Sequence, residues 1–130
     1  MGGIFSKIIT GEIPCFKVAE TKDYLAFLDI RPLTKGHTLV IPKLDVDYIF
    51  NLDDVTFEGL HLFSKLIATA IKKAIPCQRI GVCVMGLEVP HAHIHLIPFN
   101  HMDDMNFANI KLNLDSEEMK LIANSIQACL

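Results

Sequence analysis

Three histidines alternate in the run His91-Ala92-His93-Ile94-His95, half of the six that the 130-residue chain contains. In an extended segment alternate side chains share a face, so these imidazoles would line up roughly 6–7 Å apart while Ala92, Ile94 and Leu96 turn the other way. Imidazole is a costly choice for a packed face. Near neutral pH it serves as nucleophile, general acid or base, hydrogen-bond donor or metal ligand. Three readings compete. The first is an exposed histidine-rich face, or buried histidines satisfied by backbone carbonyls. The second is a histidine-ligated metal site. His91 with His93 and a distant third ligand is feasible there, although no cluster of acids or cysteines completes it and Glu88 is the only close carboxylate. The third is catalysis at phosphorus, in which one neutral imidazole attacks and its neighbours orient it and donate to phosphate oxygens.

The elements that must carry this array read as one α+β domain over residues 1–130. Its core spans about 4–99 and a C-terminal extension about 100–130. Ile4 to Ile9 suits a short helix. Phe16–Glu20, Tyr24–Asp29 and His37–Pro42 read as strands, the first two joined by a hairpin turn at residues 21–23. A helical stripe of Leu60, Phe63, Ile67, Ala70, Ile71 and Ala74 predicts a long helix over about 53–75, capped by Asp53 or Asn51 and stopped by Pro76. Arg79–Met85 and His91–Phe99 read as two further strands. Asp115-Ser116-Glu117-Glu118 is a capping-box variant, with Leu114 and Met119 as a hydrophobic staple, opening a last helix to about Ala128. Hairpin-like neighbours imply a five-stranded antiparallel sheet with a long central helix and a C-terminal helix on it.

Composition narrows the function. With 51% hydrophobic and 21% charged residues the chain is not of the disordered class. A mean hydropathy of +0.36 leaves apolar surface to spare for a partner or ligand. A net charge of −3 argues against a nucleic-acid partner, which needs a basic face. No apolar run approaches the ~18–20 residues of a membrane span, and no secretory signal is visible. The four cysteines, Cys15, Cys77, Cys83 and Cys129, lack CxxC spacing, which favours reduced thiols and a cytoplasmic location. Residues 1–6 match the loose N-myristoylation pattern, but so short a pattern arises often by chance and no polybasic second signal follows.

The run His91-Ala92-His93-Ile94-His95-Leu96 resembles the signature of the histidine triad (HIT) superfamily. Three further blocks occur in family order. Residues 4–14 (IFSKIITGEIP) resemble the family's opening, residues 25–32 (LAFLDIRP) its nucleoside-pocket segment, and residues 35–43 (KGHTLVIPK) the strand that follows. The resemblance is to the Hint-like branch of nucleotide-binding hydrolases. It implies a homodimer whose sheets join, and hydrolysis at the α-phosphate of purine nucleoside 5′-phosphates through a nucleotidyl-histidine intermediate. The enzymes it points to are nucleoside phosphoramidases or dinucleoside polyphosphate hydrolases, with no cofactor and no metal. Carried over, His93 is the nucleophile, His95 bonds the phosphate or leaving group, His91 orients the array and His37 supports it. Asp29 accepts from the ribose hydroxyls, and Phe5, Ile8, Leu28 and Ile30 sandwich the base.

This sequence departs from the family where the leaving group is met. The segment Val84-Met85-Gly86-Leu87-Glu88-Val89-Pro90 is shorter than the family's loop and lacks its asparagine. Leu87 stands where glutamine is expected, and Glu88, which the resemblance places among the nucleotide-binding residues, stands where a small hydroxyl residue is common. Asp45 replaces a frequent histidine. With the phosphate-contacting amides gone, a purine nucleotide-binding module with little or no catalysis is the alternative reading.

Overall fold

The computed structural model describes residues 2–130; Met1, and with it the start of the N-myristoylation pattern, lies outside the described residues. In chain order the elements are α1 (Ile4–Thr10), β1 (Lys17–Glu20), β2 (Tyr24–Leu28), β3 (Thr38–Pro42), α2 (Asp54–Ala74), β4 (Arg79–Cys83), β5 (Ile94–Phe99) and α3 (Ser116–Gln127). Single 3-10 turns lie at Ile49–Asn51 and Met102–Met105. The five strands form one antiparallel sheet in the order β1-β2-β3-β5-β4.

Helix ends follow local chemistry. Asp53, not Asn51, caps α2: its carboxylate accepts from the Thr56 N–H at 3.1 Å and from the Thr56 hydroxyl at 2.6 Å. Asn51 is spent in the preceding 3-10 turn. The buried face of α2 is Leu60, Phe63, Ser64, Ile67, Ala70 and Ile71, so Ser64 joins the expected stripe and Ala74 stays at its margin. Ser64 is tolerated there because its hydroxyl donates to the Leu60 carbonyl at 2.8 Å. Asp115 caps α3 by accepting from the Glu118 N–H at 2.8 Å. From α3, Met119, Ile122, Ala123 and Ile126 enter the same buried cluster as α2 and the sheet. The extension after residue 99 is therefore part of the one core.

The sheet has two chemically different faces, and strand parity separates them. Val18, Ala26, Leu28, Val40, Ile94 and Leu96 point to the helix-bearing face, which α2 and α3 cover. Leu25, Phe27, Leu39 and Ile41 point to the opposite face, where Phe5 of α1 packs on them. His95 shares that second face, directly across from Leu39 on β3.

The strand expected over His91–Phe99 begins only at Ile94, and β4 ends at Cys83 instead of Met85. The backbone explains the shorter β5. The His91 N–H donates to the Val89 carbonyl at 2.9 Å and the Ala92 N–H to the Val46 carbonyl at 2.7 Å, so neither is available to a neighbouring strand. His91 and His93 thus stand in the irregular segment that leads into β5, and only His95 lies within it.

Candidate active site

Four buried histidines and one carboxylate converge on the face opposite the long helices. Asp29 follows the last residue of β2 and His37 precedes β3, so the loop between them sets both. Gly36 in that loop has φ +94°, and a Cβ there would come within 3.0 Å of the Ile75 side chain and 3.2 Å of Pro98. Only glycine meets both demands, and the next residue is His37. His37, His91, His93 and His95 are each at most 8% exposed.

Backbone groups fix the tautomers. A carbonyl can only accept, so the nitrogen facing it must carry the proton. His93 Nδ1 faces the carbonyl of His91 at 2.7 Å and donates to it, which leaves the Nε2 lone pair free. His91 donates from Nε2 to the Pro42 carbonyl at 2.8 Å. On the other side, the Leu33 N–H donates to His37 Nδ1 at 3.0 Å. Burial holds the His37 imidazole down to about 3, with the neighbouring His95, Lys111 and His93 adding to the effect. His37 is therefore neutral, and its proton resides on Nε2. That proton is donated to His95 Nδ1 at 2.9 Å. His95, held down to about 4 by burial and by His93, is neutral too, so it presents Nε2–H. The array thus offers one bare nitrogen on His93 and one N–H on His95, with ring centroids 4.9 Å apart.

The charges around this pair are asymmetric. Burial lowers His93, while its hydrogen bond to the His91 carbonyl and the carboxylates of Asp29 and Glu88 act in the opposite sense. Burial raises the Asp29 carboxyl, countered by the Arg31 N–H and the charges of His93 and Lys111. Asp29 Oδ1 accepts from that Arg31 N–H at 2.9 Å, and its Oδ2 lies 3.7 Å from His37 Nε2. Among the described residues, His91 Nδ1 has no hydrogen-bond partner; the Asp45 carboxylate is 3.6 Å away.

Asp29, His37 and His95 offer ligand atoms within 4.8 Å of one another, a spacing that suits a metal ion. The hydrogen-bond chain does not suit it. His37 Nε2 and His95 Nδ1 are donor and acceptor of one bond, and the Leu33 amide occupies the other His37 nitrogen. Metal ligation through His37 Nε2 would push a proton onto the nitrogen that faces that N–H. For the pairing of His91 with His93, the bonds to backbone carbonyls leave His91 Nδ1 and His93 Nε2 as the available ligand atoms, and among the described residues no third ligand groups with them.

The expected base-lining residues separate. Ile30 is 68% exposed beside Asp29, and Ile8 is half-buried on α1. Leu28 does not belong with them. It is buried on the helix-bearing face, one residue out of phase with Asp29. Its neighbour Phe27 takes the site face and meets Phe5 edge-on at 5.5 Å. Phe5 is itself buried, with centroids 5.2 Å from His93 and 5.8 Å from His91, so it buttresses the His93 ring more than it walls a slot. Glu88 and Leu87 are exposed on the loop before the array.

Three participants escaped the sequence reading. The Leu33 amide is a backbone donor and leaves no mark in residue types. Lys111 bears electrostatically on Asp29 and His37 from the segment after β5. Phe107, from the same segment, places its ring 5.0 Å from that of His95. The signal for Phe107 was a lone aromatic in an otherwise polar stretch.

Known proteins resemble this chain in sequence and in fold. Residues 10–102 match the HIT domain. An uncharacterized HIT-like protein of Borreliella burgdorferi is 40% identical over 131 residues, covering 95% of this chain and 94% of that protein. An adenosine 5′-monophosphoramidase of Schizosaccharomyces pombe is 40% identical over 103 residues, covering 75% and 74% of the two chains. The crystal structure of a Hit-like protein from Bartonella henselae superposes with a TM-score of 0.85 at 33% identity, over 98% of this chain and 95% of that one.

Proposed function

Because the chain belongs to the HIT domain family, we propose that it is a hydrolase acting at the α-phosphate of purine nucleoside 5′-phosphates that carry an amine or related leaving group. The observation that carries this reading is the tautomer of His93: with its proton bound to the His91 carbonyl, Nε2 is a bare nucleophile at neutral pH. His93 Nε2 attacks phosphorus, forming a P–N bond as the bond to the leaving group breaks. His95 Nε2–H stabilises the phosphoryl oxygens or protonates the departing amine. Water then attacks the nucleotidyl-histidine, releasing nucleoside monophosphate and free His93. Asp29 takes the ribose hydroxyls, and Ile30 with Ile8 offers the purine apolar surface.

The working unit in this reading is a homodimer. β4 is an outer strand of the sheet, with Val82 exposed, and α2 leaves Leu62 and Leu66 exposed one turn apart. An unpaired edge beside apolar surface favours a second copy of the chain.

Adenosine 5′-phosphoramidate tests the activity. The expected result is release of adenosine monophosphate and a trapped nucleotidyl adduct on His93; wild-type turnover by His93→Ala would overturn the choice of nucleophile. A second reading, binding with little turnover, is favoured by Leu87 and Glu88, which supply no side-chain amide donor before the array. It predicts tight binding of the monophosphate with negligible release from phosphoramidate, dinucleoside polyphosphate and nucleotide-sugar substrates alike.

A further inference from the structure

The chain after β5 does not leave the catalytic face. The Asn109 side-chain amide donates to the Asp103 carbonyl at 2.7 Å, and the Asn106 side-chain oxygen accepts from the Ala108 N–H at 3.0 Å. The Lys111 ammonium donates to the carbonyls of Phe107 at 2.5 Å and Asn109 at 3.0 Å. The Leu112 N–H then fastens the strap to the loop between Asp29 and His37, donating to the Pro32 carbonyl at 2.8 Å. These bonds hold one ring in place. Phe107 meets His95 at 76° with centroids 5.0 Å apart, and His37 at 85° with centroids 6.3 Å apart. Phe107 belongs to neither buried cluster of the fold. Its ring contacts are with the two histidines.

Phe5 and Phe107 therefore brace the array from opposite ends of the chain, Phe5 on His91 and His93, Phe107 on His95 and His37. The two halves differ in one respect. His91 and His93 are tied directly to backbone carbonyls, whereas His95 Nδ1 is tied only to another side chain. Rotation of the His95 ring by half a turn would exchange Nδ1 for a carbon and misdirect Nε2–H.

We propose that Phe107 is a positioning residue for His95: its ring blocks that rotation and keeps water from the His37–His95 hydrogen bond, so that Nε2–H stays aimed at the reacting phosphate. The part of this inference that concerns phosphate rests on the proposed function; the part that concerns the histidine does not. The charged and titratable groups around His95 are Asp29, His37 and His93, with Cys83 directly opposite on β4 and Lys111 acting on Asp29 and His37, and Phe107 is the apolar ring that meets it.

The test is nitrogen-detected NMR of the imidazoles across pH on the full chain, in wild type, Phe107→Ala and Phe107→Leu, alongside turnover of adenosine 5′-phosphoramidate. Wild type is expected to show His95 protonated on Nε2 alone. Phe107→Ala is expected to mix the His95 tautomers, move its titration toward the ordinary imidazole range, and lower kcat about tenfold with KM within about twofold. Phe107→Leu, which keeps apolar bulk and the fold, is expected to fall between. Unchanged His95 nitrogen shifts in both variants would overturn the proposal, even if thermal stability drops, because a ring used only for packing would not move them. If wild type turns over no phosphoramidate yet the shifts move as described, the positioning role stands and the proposed reaction fails.

Discussion

His37 Nε2–H donates a hydrogen bond to Nδ1 of His95 across 2.9 Å, and this bond is the middle link of a directed chain that starts at a backbone amide. The Leu33 N–H cannot reverse its polarity, so every link after it is determined: acceptor at His37 Nδ1, donor at Nε2, acceptor at His95 Nδ1, donor at His95 Nε2. A backbone amide thereby decides which nitrogen of the His95 imidazole carries hydrogen.

Replacing His37 should expose the value of that chain. His37→Ala leaves His95 free to take either tautomer, and the single-turnover rate with adenosine 5′-phosphoramidate is expected to fall on the order of 100-fold, the usual worth of a positioned acid or base. His37→Gln has an oxygen to accept from Leu33 and an amide to donate onward, and should recover part of the loss. Equal rates for the two variants would show that direction along the chain is irrelevant.

The depressed histidines set the pH response. His37 at about 3, His95 at about 4 and His93 below its usual value stay neutral in the fold while the unfolded chain protonates near 6.5. Between those limits the unfolded state binds more protons, so stability is full above about pH 6.5 and is lost as pH falls toward 4. The raised carboxyl of Asp29 acts in the opposite sense, over a window that begins at its ordinary value of 3.8. Thermal unfolding from pH 7.5 to 4.5 should show the net decline. The acid limb of kcat/KM should fall below pH 6.5, because His93 Nε2 remains unprotonated there.

Parity along β2 gives a paired outcome. Leu28 is 2% exposed in the helix-side core and Ile30 is 68% exposed beside Asp29. Leu28→Ala should cost roughly 2–5 kcal/mol of stability with KM unchanged. Ile30→Ala should leave stability within about 0.5 kcal/mol and raise KM about tenfold, within what burying an isoleucine against a ligand provides. Denaturant unfolding and steady-state kinetics on the two variants check both halves.

Much of this was legible in the chain because it is local. The start of α2, narrowed to a cap at Asp53 or Asn51, its apolar stripe and the antiparallel order of neighbours follow from residue types at short spacing. The family resemblance signals that His37 supports the triad, but its bond to His95, across 57 intervening residues, is hidden from any periodicity and comes from the fold. Leu28 shows where motif carry-over overran physics: alternation forbids Leu28 and Asp29 from sharing a face of one strand. The early start given to β5 failed for a different reason, because hydrogen bonds to Val89 and Val46 come from segments whose positions tertiary structure alone decides. Phe107 was beyond reach on both counts, lying in an irregular segment that meets His95 only after the chain turns back.

The edge of the sheet provides the last test. β4 carries Val82 at 62% exposure, and on α2 Leu62 and Leu66 are 61% and 56% exposed. A single chain gains nothing from three such residues, whereas burying an aliphatic side chain against a partner is worth about 1.5–3 kcal/mol before the cost of association. Leu66→Asp would place a carboxylate in that interface and lies outside the histidine array. Sedimentation equilibrium at micromolar concentration is expected to give a dimer for wild type and a monomer for Leu66→Asp, with the variant's helix content unchanged by circular dichroism. A wild-type chain that sediments as a stable monomer would remove the dimer from the proposed function, while leaving the tautomer chain, which lies wholly within one copy, untouched.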